Sequence, residues 1–185
     1  MSRLLFAALA SLDGYMADED GNFDWAAPDA EEHQFVNDLQ RDIGLHLYGR
    51  RMYEVLVAWE TMELEGAPDV IADFARIWRA ADKVVYSSSL KDTSSERTRI
   101  ERTFDPVAVR RLKDEDGPDM LIGGPTLAAK AFEAGIVDEV HLFLAPVIVG
   151  SGLRALPANI RLDLELTAER RFGNGVVYLG YRLVR

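Results

Sequence analysis

The most restrictive feature of this sequence is a set of short apolar segments that end in glycine or serine turns and alternate with helical segments. The apolar segments include Leu4–Ala10, Leu45–Tyr48, Met120–Ile122 and Val140–Ala145. Continuous apolar runs of this length are typical of strands that are buried on both faces. Strands that alternate with helices predict a mostly parallel sheet covered on both sides by helices.

Helix signals occupy the intervening segments. Asp29 stands three residues before Glu32, which is capping-box spacing, and the apolar positions that follow predict a helix that Gly44 ends. A second amphipathic pattern spans Val70–Trp78, and a third helix is predicted from Thr126 to Ala134. Near the end of the chain, Gly173-Asn174-Gly175 separates two alternating segments and predicts an antiparallel hairpin.

Size and charge set the class of protein. The chain has 185 residues, which predicts one domain over residues 1–185. Its 21 basic and 31 acidic side chains give a net charge of −10, which argues against nucleic-acid binding and against docking on anionic membranes. The first apolar run is too short for a membrane span and lacks a signal-peptide cleavage pattern, so we expect a cytoplasmic protein.

Residue usage restricts the chemistry further. The chain has no cysteine, which excludes disulfides, zinc–thiolate sites and a cysteine nucleophile. Its three histidines, His33, His46 and His141, share no close spacing, so we expect no metal site. Because the chain has no thiol, a proton donor or acceptor must be a side chain other than cysteine.

Three turns after predicted strands have chemistry that suits phosphates. Gly123-Gly124-Pro125-Thr126 joins a buried strand to a helix start, where free N–H groups and the helix dipole favour an anion, although a plain tight turn has the same pattern. Gly49-Arg50-Arg51-Met52 adds two guanidinium groups, which equally well pair with nearby acids. Ser87-Ser88-Ser89 is a third turn, and a simple polar turn explains it too. Together the three turns indicate an extended ligand with several phosphates, such as a dinucleotide.

Candidates for proton transfer lie near the predicted strand ends. Asp13, Glu31 and His33 are the residues that we select, each against a simpler alternative. Asp13 could cap a turn with Gly14, Glu31 could serve the positive end of its helix, and His33 could be an ordinary polar helix residue. Trp25 lies in a loop, where it could stack on a flat ring or pack beneath the loop.

Several of these segments together resemble the dihydrofolate reductase-like superfamily. The supporting segments are Ser11–Tyr15, Phe23–Trp25, Leu47–Glu54, Lys83–Ser87, Ile122–Leu127, Gly135–Val140 and Ala145–Gly150. The pattern is most similar to a bacterial branch related to the reductase domain of riboflavin biosynthesis. The resemblance implies a three-layer α/β/α fold with a central mixed, mostly parallel sheet of about eight strands, ending in an antiparallel C-terminal hairpin.

The resemblance also implies bound NADPH. The adenosine ribose phosphate would contact Gly49, Arg50, Arg51, Met52, Ser87 and Ser88; the pyrophosphate would contact Gly123, Gly124, Pro125, Thr126 and Leu127; and the nicotinamide would lie near Ala8 and Ala10. Met52 replaces a threonine that is common in relatives, so one hydroxyl contact is lost. An arginine at the ribose phosphate favours NADPH over NADH.

On the substrate side, the resemblance implies a heteroaromatic, pterin-like or pyrimidine-like ring that contacts Asp24, Trp25 and Phe35. The Asp-Asp-Pro segment of riboflavin-pathway reductases does not occur here. In dihydrofolate reductases a carboxylate on the first helix binds the pterin, and Glu31, Glu32 and His33 are all candidates for that position. We therefore expect an NADPH-dependent reductase; the alternative is a non-catalytic NADP(H)-binding module or redox sensor on the same fold. Because relatives in this branch commonly pair, a homodimer is also expected.

Overall fold

The computed structural model describes residues 2–115 and 117–184. Within them the helices are α1 (Ala30–Gln40), α2 (Arg50–Leu56), α3 (Ala58–Thr61), α4 (Asp69–Ala80), α5 (Pro106–Asp114) and α6 (Pro125–Glu133). The strands are β1 (Leu4–Ser11), β2 (Tyr15–Ala17), β3 (Ile43–Gly49), β4 (Asp82–Tyr86), β5 (Thr98–Glu101), β6 (Asp119–Gly123), β7 (Glu139–Ala145), β8 (Leu153–Arg154), β9 (Leu164–Arg171) and β10 (Val177–Leu183).

Eight of these strands form one sheet in the order β5-β4-β3-β6-β1-β7-β10-β9. The pairs from β5 to β7 are parallel, whereas β10 pairs antiparallel with both β7 and β9. The predicted mixed sheet with an antiparallel C-terminal hairpin is therefore confirmed. Because the parallel strands share one direction, their C-terminal ends lie along one edge, which we call the carboxyl edge; the opposite edge is the amino edge.

Helices cover both faces of the sheet, which makes three layers. On one face, Phe6 and Ile122 of the sheet pack with Val109 of α5 and Phe132 of α6. On the other face, a second apolar cluster contains Val36 of α1, Phe74 and Trp78 of α4, and Phe143 and Tyr178 of the sheet. The alternation along each strand divides the apolar side chains between the two cores.

Two strands lead directly into helices at the carboxyl edge. Gly49 ends β3 and α2 begins at Arg50, while Gly123 ends β6 and α6 begins at Pro125 after Gly124. Gly124 has φ +89°, a conformation that favours glycine. A Cβ at Gly123 would lie 2.8 Å from two ring carbons of Tyr48, so this glycine is needed for packing as well. These turns deliver two helix starts to the edge where ligands bind in such sheets.

Some predicted boundaries are wrong. Gly44 does not end α1, which stops at Gln40; instead it lies inside β3, where a Cβ would be 2.5 Å from Pro118. The glycine is thus required by close approach of another segment. The sequence pattern also missed β5, because this short edge strand reads Thr-Arg-Ile-Glu and has no continuous apolar run. In the described part of the chain, no helix is both long and apolar enough to cross a membrane.

Candidate functional site

A cavity of about 180 Å³ opens at the carboxyl edge beside β1 and β7. Its apolar wall is formed by Leu9, Phe143, Ala145 and Val176, which come from the neighbouring strands β1 and β7 and from the hairpin turn before β10. The 3₁₀ turn Asp24–Ala26 contributes Trp25, and the polar side chains are Glu32 of α1 and Asn174 of the hairpin. We call this space the β1/β7 cavity. It combines apolar walls with a few fixed polar groups, as small-molecule sites do.

Glu32 is the acidic group of the cavity, and only 1% of its surface is exposed. The Asp29 side chain caps α1 by accepting the Glu32 N–H, which fixes the first helical turn. Burial raises the pKa of the Glu32 carboxyl above its ordinary value, although the hydrogen bond from Asn174 lowers it in part. A carboxyl group whose pKa is raised is a better proton donor than an ordinary carboxylate, and in this position it could serve a ring nitrogen or oxygen.

Asn174 holds the Glu32 carboxyl in place. Its Nδ2 donates to Glu32 Oε2 at 2.9 Å, and its Oδ1 accepts the Val176 N–H at 3.0 Å. The turn itself closes through the Phe172 N–H, which donates to the Val176 carbonyl. The Gly-Asn-Gly signal predicts this turn, but the sequence does not show that its amide meets Glu32, which lies 142 positions earlier.

The neighbours of Glu32 point elsewhere because successive residues of a helix are rotated by about 100°. The Glu31 carboxylate pairs with Arg170 at 2.7 Å, and its side chain is half exposed. His33 is buried on another side of the helix, where its Nδ1 lies 3.0 Å from Asn37 Oδ1 and its ring packs on Phe74. Of the three residues that the sequence left open, the structure brings Glu32 into the cavity.

Asp13 lies beyond the end of β1, where it holds the loop that follows β7. Its carboxylate accepts the N–H groups of Val149 at 3.2 Å and Gly150 at 2.8 Å. The Ser11 hydroxyl, followed by these backbone N–H groups, lowers the pKa of Asp13. A carboxyl group with a lowered pKa is a hydrogen-bond acceptor at neutral pH, and this geometry matches the turn-capping alternative.

The predicted substrate contacts separate into three positions. Trp25 lines the β1/β7 cavity, and its buried Nε1 has no hydrogen-bond partner among the described residues. Asp24 is exposed on the same turn. Phe35 packs behind the cavity wall, with its ring 6.0 Å from that of Phe143 and 4.7 Å from that of Tyr178. Only Trp25 of these three touches the cavity directly.

The start of α6 lies at the same edge and has no side-chain cap. Gly124 caps the helix without a side-chain hydrogen bond, Pro125 follows at the first position, and the first turn contains no acid. Gly123, Gly124 and Leu127 are buried, whereas Thr126 is exposed. A helix start without its own side-chain cap leaves N–H groups free for a phosphate.

The guanidinium groups lie at the ends of β3 and β5. Arg50 donates to Glu54 at 2.7 Å and to the Ser89 hydroxyl at 3.0 Å, so it is partly engaged as the simpler alternative expects. Arg51 is exposed and has no hydrogen bond or ion pair within residues 2–115 and 117–184. Arg102, which the sequence reading missed, donates to the backbone carbonyls of Ser87 and Leu90.

The remaining predicted cofactor contacts surround these groups. The Ser87 hydroxyl accepts the N–H groups of Ser89 and Leu90 and so shapes the turn, while Ser88 is exposed. Met52 packs against Gly124, and Leu127 lies beneath Gly49. Ala8 and Ala10 are buried on the face of β1 that looks toward α6, opposite the face on which Leu9 lines the cavity. Since β3 lies two strands from β1, about 10 Å separates the Arg50 turn from this strand.

Comparison with known proteins places the chain in a family. The model of the RibD C-terminal domain family matches residues 3–178. The chain belongs to the RibD C-terminal domain family. Within the curated proteins, the uncharacterized protein YyaP of Bacillus subtilis (strain 168) is 26% identical over 182 residues, which are 97% of this chain and 94% of YyaP. The resemblance found from the sequence segments is therefore confirmed.

Solved structures related to the RibD C-terminal domain share the fold. A pyrimidine reductase-like protein from Corynebacterium diphtheriae aligns with a TM-score of 0.73 at 16% identity, covering 100% of this chain and 92% of that one. A diaminohydroxyphosphoribosylaminopyrimidine deaminase/5-amino-6-(5-phosphoribosylamino)uracil reductase from Thermotoga maritima aligns with a TM-score of 0.68 at 16% identity, covering 99% of this chain and 57% of that one. At this identity the alignments show the fold alone.

The family-like segment Gly135–Val140 lies at the amino edge, away from the cavity. The Asp138 carboxylate accepts the Leu4 N–H at 2.8 Å and pairs with the buried Lys113 Nζ at 2.6 Å. Glu139 pairs with Arg3 at 2.8 Å. Gly135–Val140 and Ala145–Gly150 are together the more specific segments of the resemblance. In this member of the RibD C-terminal family the first joins β1 and β7 at the amino edge, whereas Ala145 of the second lines the β1/β7 cavity.

Proposed function

We propose that this chain is an NADPH-dependent reductase that acts on a small pyrimidine- or pterin-like ring. The observation that carries the proposal is the buried Glu32 carboxyl, fixed by Asn174 in an apolar cavity at the carboxyl edge. A reductase-type role follows from membership of the RibD C-terminal family. Two structural relatives, a pyrimidine reductase-like protein and a uracil reductase by name, support the choice of ring.

The carboxyl edge fits NADPH. Free N–H groups at the start of α6 suit the pyrophosphate, and glycines at 123 and 124 let the backbone approach it closely. Arg51 has no protein partner in the described chain and suits the adenosine phosphate, with Arg50 and the Ser87–Ser89 turn beside it. When bound, NADPH supplies a hydride to the ring.

The protein itself binds the ring, excludes water and provides a proton. Leu9, Phe143 and Val176 form an apolar wall, and Trp25 offers a flat surface for stacking. Glu32 donates a proton to the reduced ring or anchors a ring N–H, because it is the carboxyl group that lines the cavity and burial raises its pKa. We assign the proton to Glu32 and keep Asp13 as a loop anchor.

Titration of the protein with NADPH and, separately, with NADH tests the proposal. We expect micromolar NADPH binding, much weaker NADH binding, and weaker NADPH binding in Arg50→Ala. Arg182→Ala is the matched control, because Arg182 pairs with Glu165 on the last two strands. Absence of binding by either cofactor would overturn the reductase assignment. NADPH binding with no oxidation across a panel of pyrimidines and pterins would instead favour the non-catalytic binding module.

We also propose a cytoplasmic homodimer. All eight residues of the edge strand β9 are exposed, and Leu164 and Leu166 face the same side as Val177 and Tyr181 of β10. An exposed edge strand beside an uncovered apolar face is a surface that a second copy can pair with. Light scattering should therefore give a dimer mass that Leu166→Glu reduces to a monomer mass; an unchanged mass in this variant would contradict the assignment of this surface.

A further inference from the structure

Two helix starts at the carboxyl edge differ in charge. The first turn of α1 is filled by the protein's own acids: Asp29 caps it, and Glu31 and Glu32 follow. The first turn of α6 contains no acid and no side-chain cap. Since a helix start attracts one anionic partner through its free N–H groups and dipole, α6 can receive a phosphate, whereas the equivalent position of α1 is already occupied.

The charged side chains along the carboxyl edge are also divided, with basic groups at one end of the sheet and acidic groups beside the cavity. Arg50, Arg51 and Arg102 stand after β3 and β5, at the end of the sheet away from the cavity. None of the ten residues that line the β1/β7 cavity is lysine, arginine or histidine. The acids Asp24 and Asp29 lie beside the segment that contributes Trp25 and Ala27 to the wall.

The cationic side chain of Arg170 lies near the acids of α1, but it is already paired with one of them. Its guanidinium pairs with Glu31 at 2.7 Å and lies 4.9 Å from the ring centre of Phe172. Releasing it toward a ligand would break the ion pair and leave Glu31 facing the incoming group. The cavity is also small: its volume of about 180 Å³ is below the roughly 300–1,000 Å³ of sites for drug-sized ligands.

We propose that the β1/β7 cavity takes an unphosphorylated ring, neutral or cationic, and rejects the same ring when it carries a phosphate. The inference rests on the proposed function and adds the substrate's charge to it. The exposed carboxylates of Asp24 and Asp29 beside the cavity repel a phosphate, while the arginines after β3 and β5, two and four strands from β1, bind the phosphates of the cofactor. The substrate would therefore be a product of a reaction that removes phosphate, or of one that never adds it.

The test uses cytosine, cytidine and cytidine 5′-monophosphate as probes, because this series adds first the sugar and then the charge. Each is titrated by calorimetry with and without saturating NADPH. We expect cytosine and cytidine to bind within a few fold of one another and the monophosphate to bind at least tenfold more weakly. Added salt should narrow that gap, since it screens the acidic rim.

A charge reversal provides the matched variant. Asp24→Lys should strengthen binding of the monophosphate by a larger factor than it changes binding of cytidine. Asp163→Lys makes the same charge change just before β9, at the amino edge, and should alter neither probe. Both positions are exposed, so both variants are expected to fold.

Two outcomes would overturn the inference while NADPH still binds. The first is a monophosphate that binds as well as cytidine or better, and the second is cytosine that does not bind up to its solubility limit. Loss of NADPH binding is a separate result, which would mean that the proposed reductase function is wrong. The order of the affinities of the three pyrimidines is also measured without cofactor, so the two failures are distinguishable.

Discussion

The two edges of the sheet use polar residues in opposite ways. At the amino edge, Arg3 is matched to Asp119 and Glu139, and the buried Lys113 is matched to Asp138 and to the Ile136 carbonyl. At the carboxyl edge, Glu32 has an amide as its hydrogen-bond partner and Arg51 has none within the described chain. Charges that satisfy one another stabilise a fold, whereas charges without counterions remain available to ligands.

The largest effect should come from breaking a matched pair at the amino edge. Lys113→Met removes the cation beside Asp138 and the donor to the Ile136 carbonyl. Because the pair is buried, we expect a loss of about 3–5 kcal/mol in the free energy of unfolding, measured by urea denaturation. Lys130→Met, on the exposed side of α6, is the control and should cost less than about 0.5 kcal/mol. Equal losses in the two variants would contradict a structural role for this edge.

At the carboxyl edge, the expected loss is in activity and not in stability. Glu32→Gln keeps an oxygen that can accept from Asn174 but cannot act as an acid, so kcat should fall about 10²–10³-fold with little change in the urea midpoint. The assay is NADPH oxidation with the first ring substrate found in a panel. Glu31→Gln is the control that distinguishes the two neighbouring carboxyl groups. If this variant lowers kcat as much as Glu32→Gln does, the assignment of Glu32 as the proton donor is wrong.

A smaller effect is expected for the unmatched cation. Arg51→Ala should raise the NADPH Kd about tenfold, which corresponds to about 1.4 kcal/mol, because it removes a charge-assisted contact to a phosphate. NADH lacks the extra phosphate, so its Kd should not change. Calorimetry at two salt concentrations measures both values. An unchanged NADPH Kd would mean that Arg50 or Arg102 holds the phosphate. In that case Arg51 is not the cation that the carboxyl edge offers to a ligand.

The smallest effect is the contribution of Glu32 to the dependence of stability on pH. Burial raises the folded-state pKa of Glu32 above its ordinary value of 4.5, so between these two values the folded protein binds more protons than the unfolded chain. Its contribution to stability is therefore greatest at low pH and is lost as pH rises through that window. Urea titrations of the wild type and Glu32→Gln across the window should show a shallower decline in the variant.

The fold could be predicted from the sequence because its signals are local. Apolar runs, glycine turns and the cap Asp29 each act within a few residues, and in the structure the Asp29 side chain accepts the Glu32 N–H as expected. Gly44 shows where this fails, since the reason for that glycine is Pro118, a residue of another segment. Long-range approach leaves no local pattern.

The site was harder to predict than the fold for the same reason. Helix periodicity places Glu31, Glu32 and His33 on three sides of α1, but which side meets the cavity depends on how α1 packs on β7 and on the hairpin. Asn174 illustrates this: its turn is evident in the sequence, but its partner lies 142 positions away. The glycine and arginine turns were found because their chemistry is carried by adjacent residues.

The close approach of Gly123 to Tyr48 has a consequence for how this chain can change over evolution. A side chain at position 123 would collide with the Tyr48 ring, and Tyr48 is only 1% exposed, so the ring has no room to move away. Neither position can therefore be altered freely while the other stays the same. Positions 48 and 123 should therefore vary together among related chains, with alanine at 123 accompanied by a residue smaller than tyrosine at 48.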